Sequence, residues 1–215
     1  MNFAPYQALA DALLPLLPNS GDGAHDLAHL QRVWVSARAI AAIEGGDADV
    51  LAAAVLLHDC VAVEKSSPLR AQASRLAAAR AREILAARQW PEARIAAVEH
   101  AIAAHSFSAG IAPETLEARI LQDADRLDAI GGIGIARCFY TAGRMGSLLY
   151  DPEDPRGERR PLDDARYATD HFRAKLLKLQ DGFQTVAGAA MARQRTAMLA
   201  EFLATFEAEL GLTTP

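Results

Sequence analysis

Apolar residues recur along this chain at steps of three and four, while the strict alternation of a half-buried strand is almost absent. That period predicts helices over about 4–17, 27–44, 48–59, 69–88, 92–105, 114–130, 132–144, 164–180 and 184–210, so the expected class is all-α. Punctuation agrees with these bounds. Pro18-Asn19-Ser20-Gly21 stops the first helix, Gly45-Gly46 stops the second, and Ser67-Pro68 and Pro91 open later ones. From about Gly146 to Asp164 the pattern fails, and Pro152, Pro155, Gly157 and Pro161 stand among many charges. A loop this long in a compact domain is often a lid or binding loop, and a plain excursion between two helices explains it equally well. No internal repeat is visible. The expected organisation is one domain over 1–215, with a core at about 20–135 and the loop 146–164 and helices 164–210 as an elaboration.

Composition narrows the function classes. The 215 residues are 51% hydrophobic and 23% charged, an ordinary globular balance with enough chain for a sizeable core. The formal net charge of -5, with no basic stripe, argues against a nucleic-acid partner. Cys60 and Cys138 have neither disulfide-framework nor zinc-knuckle spacing, which suits a reducing cytoplasm. The first residues lack a basic segment followed by a cleavable apolar one, and no run of about 18 uncharged apolar residues is present, so neither secretion nor a membrane span is expected.

The strongest chemical signal is His58-Asp59, which ends the apolar run Val50–Leu57. A helix apolar all round is expected at the centre of the fold. A carboxylate buried there without a partner costs several kcal/mol or becomes protonated. A divalent cation removes the problem by taking an imidazole nitrogen and a carboxylate oxygen together. A histidine bonded to a backbone carbonyl, with Asp59 capping the next turn, is the alternative. His29 stacks with Val33, Ser36 and Ile40 on an inward face of the second helix, where it too needs a partner. His25 lies one turn earlier, without the intervening Glu of an H-E-x-x-H motif, and reads as a neighbour that orients or contacts substrate. In Ile120–Ile130 the acids Asp123, Asp125 and Asp128 interrupt an apolar helix. Asp125 completes a His-His-Asp-Asp set, Asp123 pairs with Arg126 or an imidazole, and a solvated acidic stripe is the alternative.

The order His29, His58-Asp59, Asp125 resembles the H…HD…D signature of the HD superfamily of metal-dependent phosphohydrolases. The blocks His25-Asp26-x-x-His29-Leu30-x-Arg32-Val33-Trp34, His100 to Ser108, Gln122 to Leu127 and Arg160 to Asp164 resemble its YedJ-like bacterial branch, and together they span about residues 20 to 180. The resemblance implies a helical bundle with His29, His58, Asp59 and Asp125 as metal ligands. It also implies hydrolysis of a phosphate ester or anhydride of a small phosphorylated compound, a nucleotide being the expected partner. Two imidazoles and two carboxylates suit Mn(II) or Mg(II) first, with Fe(II), Co(II) or Ni(II) also compatible. Asp59, Glu64 and Lys65 are the catalytic candidates, Glu64 through acid–base work or water orientation and Lys65 through a phosphate. Substrate contacts are assigned to His25, Arg32, His105, Arg160, Lys175 and Lys178. The last two, with His171, would form a cation ridge on one helical face, which a solvated helix face explains as well. A non-catalytic metal- or nucleotide-binding HD module is the competing class, and whether the last helix pairs two copies into a homodimer is left open.

Overall fold

A computed structural model describes residues 2–18, 27–63, 70–106 and 109–212. It is helical throughout, with no strand among the described residues and one isolated bridge between Leu148 and Tyr167. The chain forms two compact units. The first comprises 1–125 together with a returning segment, 184–188. The second comprises 126–183 and 189–215. No helix among the described residues is long and apolar enough to cross a membrane.

The first unit contains α1 (Gln7–Leu13), α2 (Leu27–Glu44), α3 (Ala48–Leu57), α4 (Ala73–Ala86), α5 (Glu92–His105) and most of α6 (Leu116–Leu127). Helix α3 is its axis. Asp47 caps it by accepting from Asp49 N at 2.9 Å and Val50 N at 3.2 Å, which satisfies two of the amide groups a helix start leaves over. Every residue from Val50 to Leu57 is buried, against α2, α4 and α5 among others. Each large side chain in that run is worth about 1.5–3 kcal/mol of burial, so the helix has no solvated face to turn outward. Gly46, at φ +108°, makes the turn from α2 into α3 in a conformation that favours glycine. Glu117 of α6 then accepts from Asp47 N at 2.7 Å, tying α6 to the start of α3.

The second unit holds α7 (Gly131–Met145), α8 (Ala168–Ala174), a 3-10 stretch (Leu176–Gly182) and α9 (Val186–Glu209), whose first residues belong to the first unit. Phe139, Phe172 and Phe202 pack with ring centroids 5.7–5.9 Å apart, within the range of favourable aromatic pairing. The helix expected over 164–180 is two pieces. The backbone leaves the helical well at Lys175, φ -135° and ψ -59°, and continues as 3-10 turns. The cation ridge of His171, Lys175 and Lys178 is therefore broken at its middle member, although Lys175 and Lys178 are exposed.

The loop before α8 is braced by acids of its own and by one of α8. Asp170, fully buried, accepts from Arg160 Nη1 at 2.6 Å and Nη2 at 3.1 Å and from Asp163 N at 2.7 Å. Arg160 also meets Asp151 at 2.8 Å and lies over the Tyr167 ring, 4.5 Å from its centroid. These partners hold the Arg160 pKa above the ordinary arginine value, the Asp170 hydrogen bond most of all. Asp154 accepts from Arg159 N and Glu158 N, which keeps its carboxyl below the usual range. Arg160 thus has a structural occupation within the second unit.

Phe172, fully buried and stacked on Phe202 at an interplanar angle of 20°, is the keystone of this unit. Replacing it by Ala is expected to cost about 3–5 kcal/mol, read as a lowered urea midpoint. Arg160→Ala, which strands the buried Asp170 carboxylate, is expected to lower the midpoint too.

Candidate metal centre

Two helix ends and one helix start deliver three imidazoles to one place in the first unit. His58 directly follows the last residue of α3 and is 1% exposed. The last carbonyls of a helix have no partner within it, and His58 uses one: its Nδ1–H donates to Val55 O at 2.8 Å. Burial pulls the His58 pKa below the ordinary histidine value, against the upward pull of Asp59 and Asp125. Burial thus favours the neutral ring, whose Nε2, with Nδ1 donating to a carbonyl, presents a lone pair. That lone pair faces His29 Nε2 at 3.2 Å. His29 sits in the first turn of α2 and is also 1% exposed.

The carboxylates close around the two nitrogens. Asp125 Oδ1 lies 3.4 Å from His29 Nε2 and 3.9 Å from His58 Nε2. Asp59 Oδ2 lies 3.8 Å and 3.6 Å from the same atoms. Side-chain exposure divides the set. The imidazoles are 1–2% exposed, whereas Asp59 is 40% and Asp125 30% exposed, so solvent reaches the centre from the carboxylate side.

His105, the last residue of α5, is the third imidazole. Its ring stands edge-on to His58 with centroids 5.0 Å apart, and ligand atoms of His58, Asp59 and His105 all lie within 4.8 Å of one another. It repeats the His58 device, with Nδ1–H donating to Ile102 O at 2.6 Å. The neighbouring carbonyls of α5 are also taken. Ser74 Oγ donates to Ala103 O at 3.0 Å and Gln122 Nε2 to Ala104 O at 2.8 Å. Three side chains from three elements thus seal the helix end that presents His105.

The donor set fits a divalent cation. Two imidazole nitrogens and two carboxylate oxygens stand 3.2–3.9 Å apart across the five pairs above. Neighbouring ligands about 2.0–2.2 Å from one ion are separated by roughly 3.0 Å in an octahedron and 3.5 Å in a tetrahedron. A contraction of a few tenths of an ångström on binding would bring the set to that size. Absence of thiolates from the set separates it from a structural zinc site. The His58 ring N–H, donating to Val55 O, supplies the outer support that a metal-bound histidine needs.

Of the other residues singled out in the sequence, Arg32 is half-buried on α2, one turn beyond His29. His25, Glu64 and Lys65 lie outside the described residues. Arg160, Lys175 and Lys178 belong to the second unit. His100 Nε2 accepts from Glu114 N at 3.0 Å. Asp128, buried, accepts from Arg137 rather than joining Asp125. Asp123 is fully buried and accepts three hydrogen bonds from Gln184 and Thr185. The sequence pattern pointed to Arg126 or an imidazole as its partner and missed these two residues. Arg126 donates to Gly182 O. A signal was present in Thr185-x-x-Gly188, a hydroxyl three residues ahead of a helical amide, the spacing of a helix cap.

Comparisons with known proteins agree with this geometry. The HD domain family model matches residues 26–130, which contain all four candidate ligands. The chain is 31% identical over 190 residues to the protein YpgQ of Bacillus subtilis (strain 168), covering 86% of this chain and 84% of that one. The crystal structure of Bacillus subtilis YpgQ in complex with ADP matches with a TM-score of 0.71 at 30% identity, over 93% of this chain and 97% of the other. An HD-superfamily hydrolase from Bacillus thuringiensis matches with a TM-score of 0.73 at 29% identity, over 96% and 97%. The family match and the relative, joined to the meeting of His29, His58-Asp59 and Asp125, place this chain in the HD-domain superfamily.

Proposed function

We propose that this protein is a metal-dependent phosphohydrolase that cleaves a phosphate ester or anhydride of a small compound, with a nucleotide as the favoured substrate. The observation that carries the reading is the buried His29–His58 pair, Nε2 to Nε2 at 3.2 Å, flanked by two carboxylates open to solvent. The ADP bound in the YpgQ crystal structure supports a nucleotide ligand for that relative and motivates the substrate class here.

His29, His58, Asp59 and Asp125 would hold the cation. Imidazoles weigh against Mg(II), which prefers oxygen and sheds water reluctantly, so Mn(II) is the favoured ion, with Fe(II), Co(II) and Ni(II) behind it. When bound, such an ion supplies a Lewis acid for a phosphoryl oxygen and lowers the pKa of a coordinated water. The protein's part is orientation and charge. Asp59 and Asp125 each offer a second oxygen with which to align an attacking water. His105, while neutral, donates Nδ1–H to Ile102 O, so its Nε2 accepts a hydrogen bond rather than giving one. It is suited to receive a proton from water, and less suited to the phosphate contact read from the sequence. Arg32, a cation of the first unit one turn beyond His29, is assigned to a phosphate, which its planar fork suits. Glu64 and Lys65, five and six residues beyond Asp59, are assigned to acid–base work and to phosphate. His25, Lys175 and Lys178 complete the proposed substrate contacts. Arg160 joins them only if substrate can draw it from Asp170 and Asp151.

Three outcomes are expected. Saturating Mn(II), at about a hundred times its dissociation constant, should stabilise the wild-type protein by roughly 2.7 kcal/mol, and a chelator should reverse this. His58→Ala should show no such shift in differential scanning fluorimetry. Asp59→Ala should retain its helical circular dichroism and lose Mn(II)-dependent phosphate release across a panel of nucleoside mono-, di- and triphosphates. Wild-type turnover by this variant at saturating metal would overturn the mechanism. Arg32→Ala should raise KM by about tenfold or more, the worth of a charge-assisted hydrogen bond, with Mn(II) affinity unchanged. Kinetics of Lys175→Ala and Lys178→Ala within about twofold of wild type would remove those two from the substrate contacts.

A further inference from the structure

Asp125 occupies the last turn of α6, next to the turn where Ala129 N bonds Arg126 O. Terminal helical turns are the least held part of a helix, so a ligand placed there needs support from outside the helix. Asp123 supplies a candidate. Two residues apart on a helix are separated by about 200° around its axis, so Asp123 points away from the side that presents Asp125. Its Oδ1 accepts from Gln184 N at 2.8 Å. Its Oδ2 accepts from Thr185 N at 2.8 Å and Thr185 Oγ1 at 2.7 Å.

The receiving segment is itself made rigid. Thr185 Oγ1 accepts from Gly188 N at 2.9 Å, and Glu44, the last residue of α2, accepts from Ala187 N at 2.8 Å. A Cβ at Gly188 would stand 2.5 Å from Asp123 Oδ2 and 2.7 Å from Thr185 Oγ1, so the absence of a side chain there lets the carboxylate in. Residues 184–188 therefore bind both α6, which carries Asp125, and α2, which carries His29.

We propose that Asp123, acting through Thr185, is a positioning residue that sets the Asp125 carboxylate against the two imidazoles and so determines metal affinity. The proposal rests on the metal-site reading above. A carboxylate is required at 123 because both oxygens accept. An amide would turn an NH2 against one of the donors. Released from Thr185, the last turn of α6 is free to rotate or fray, and Asp125 leaves the 3.4 Å approach to His29 Nε2. Losing a group bonded directly to a metal ligand typically costs tenfold to a hundredfold in affinity, and a brace one step further out is expected at the lower end of that range.

The test measures Mn(II) affinity by electron paramagnetic resonance of the free ion, at a temperature where circular dichroism shows every variant fully folded. Thr185→Val and Asp123→Asn should each bind Mn(II) about tenfold more weakly than wild type. Thr185→Ser, which keeps the hydroxyl, should bind within about twofold of wild type. Tyr6→Phe removes a 2.8 Å bond to Asp49 elsewhere in the same unit and serves as a control for plain destabilisation. It should leave affinity unchanged. If Asp123→Asn fails to fold, the Thr185 pair decides. Wild-type affinity in Thr185→Val, or equal loss in Thr185→Ser and Thr185→Val, would overturn the proposal. Asp125→Ala separates the two levels: if it binds Mn(II) like wild type, or if wild type binds none, the metal site itself is wrong and the brace falls with it.

Discussion

Two imidazoles facing each other nitrogen to nitrogen in a buried place are the constraint on which the first unit depends. Solvent hardly reaches the pair, and His58, with its Nδ1 proton given to Val55 O, cannot donate across the gap. The two carboxylates beside them bring negative charge to the same point. A cation sharing that point would take up both the nitrogen lone pairs and the negative charge. Much of the local architecture follows from delivering the rings. An apolar helix buries His58 at its end, and the carbonyls left over at the ends of α3 and α5 fix the tautomers of His58 and His105. A structural deficit of helix ends becomes the means of choosing which nitrogen faces the centre.

Helix α6 connects this centre to the rest of the unit. Along one stretch, Glu117 accepts from the start of α3, Gln122 seals the end of α5, Asp123 holds residues 184–185 and Asp125 faces the imidazoles. Each polar side chain serves a different element, at angular positions that a single helix can offer only because the residues are not spaced on one face. This is why three acids can interrupt an apolar helix without forming a solvated stripe. Asp123 and Asp128 are buried and bonded, and Asp125 is half-open at the centre.

Local pattern carried a good deal of this. The apolar run Val50–Leu57 marks α3 as central, and it makes the His58-Asp59 pair conspicuous because polar groups there need a partner. The inward face through His29, Val33, Ser36 and Ile40 is legible for the same reason, and all four residues are buried. Contacts across sequence distance were not legible. The Asp123–Thr185 bond joins residues 62 apart, and nothing in the periodicity of either helix announces it. Arg160 reads as a substrate contact in a charged loop, because burial of Asp170 depends on tertiary packing rather than on its neighbours in sequence. The break at Lys175 is invisible to a period of 3.6, since the 3-10 turns that follow keep Leu176 buried and Lys178 exposed.

The first unit is discontinuous: it needs residues 184–188, which are made only after 126–183 have been synthesised. At about 5–20 residues per second, a ribosome takes on the order of 3–12 s to add that intervening stretch. For that interval the nascent chain already contains all four candidate ligands but lacks the partners that residues 184–188 give to Asp123 and Glu44. Vectorial synthesis thus sets an order of events, in which the candidate ligands are all made well before the segment proposed to brace one of them.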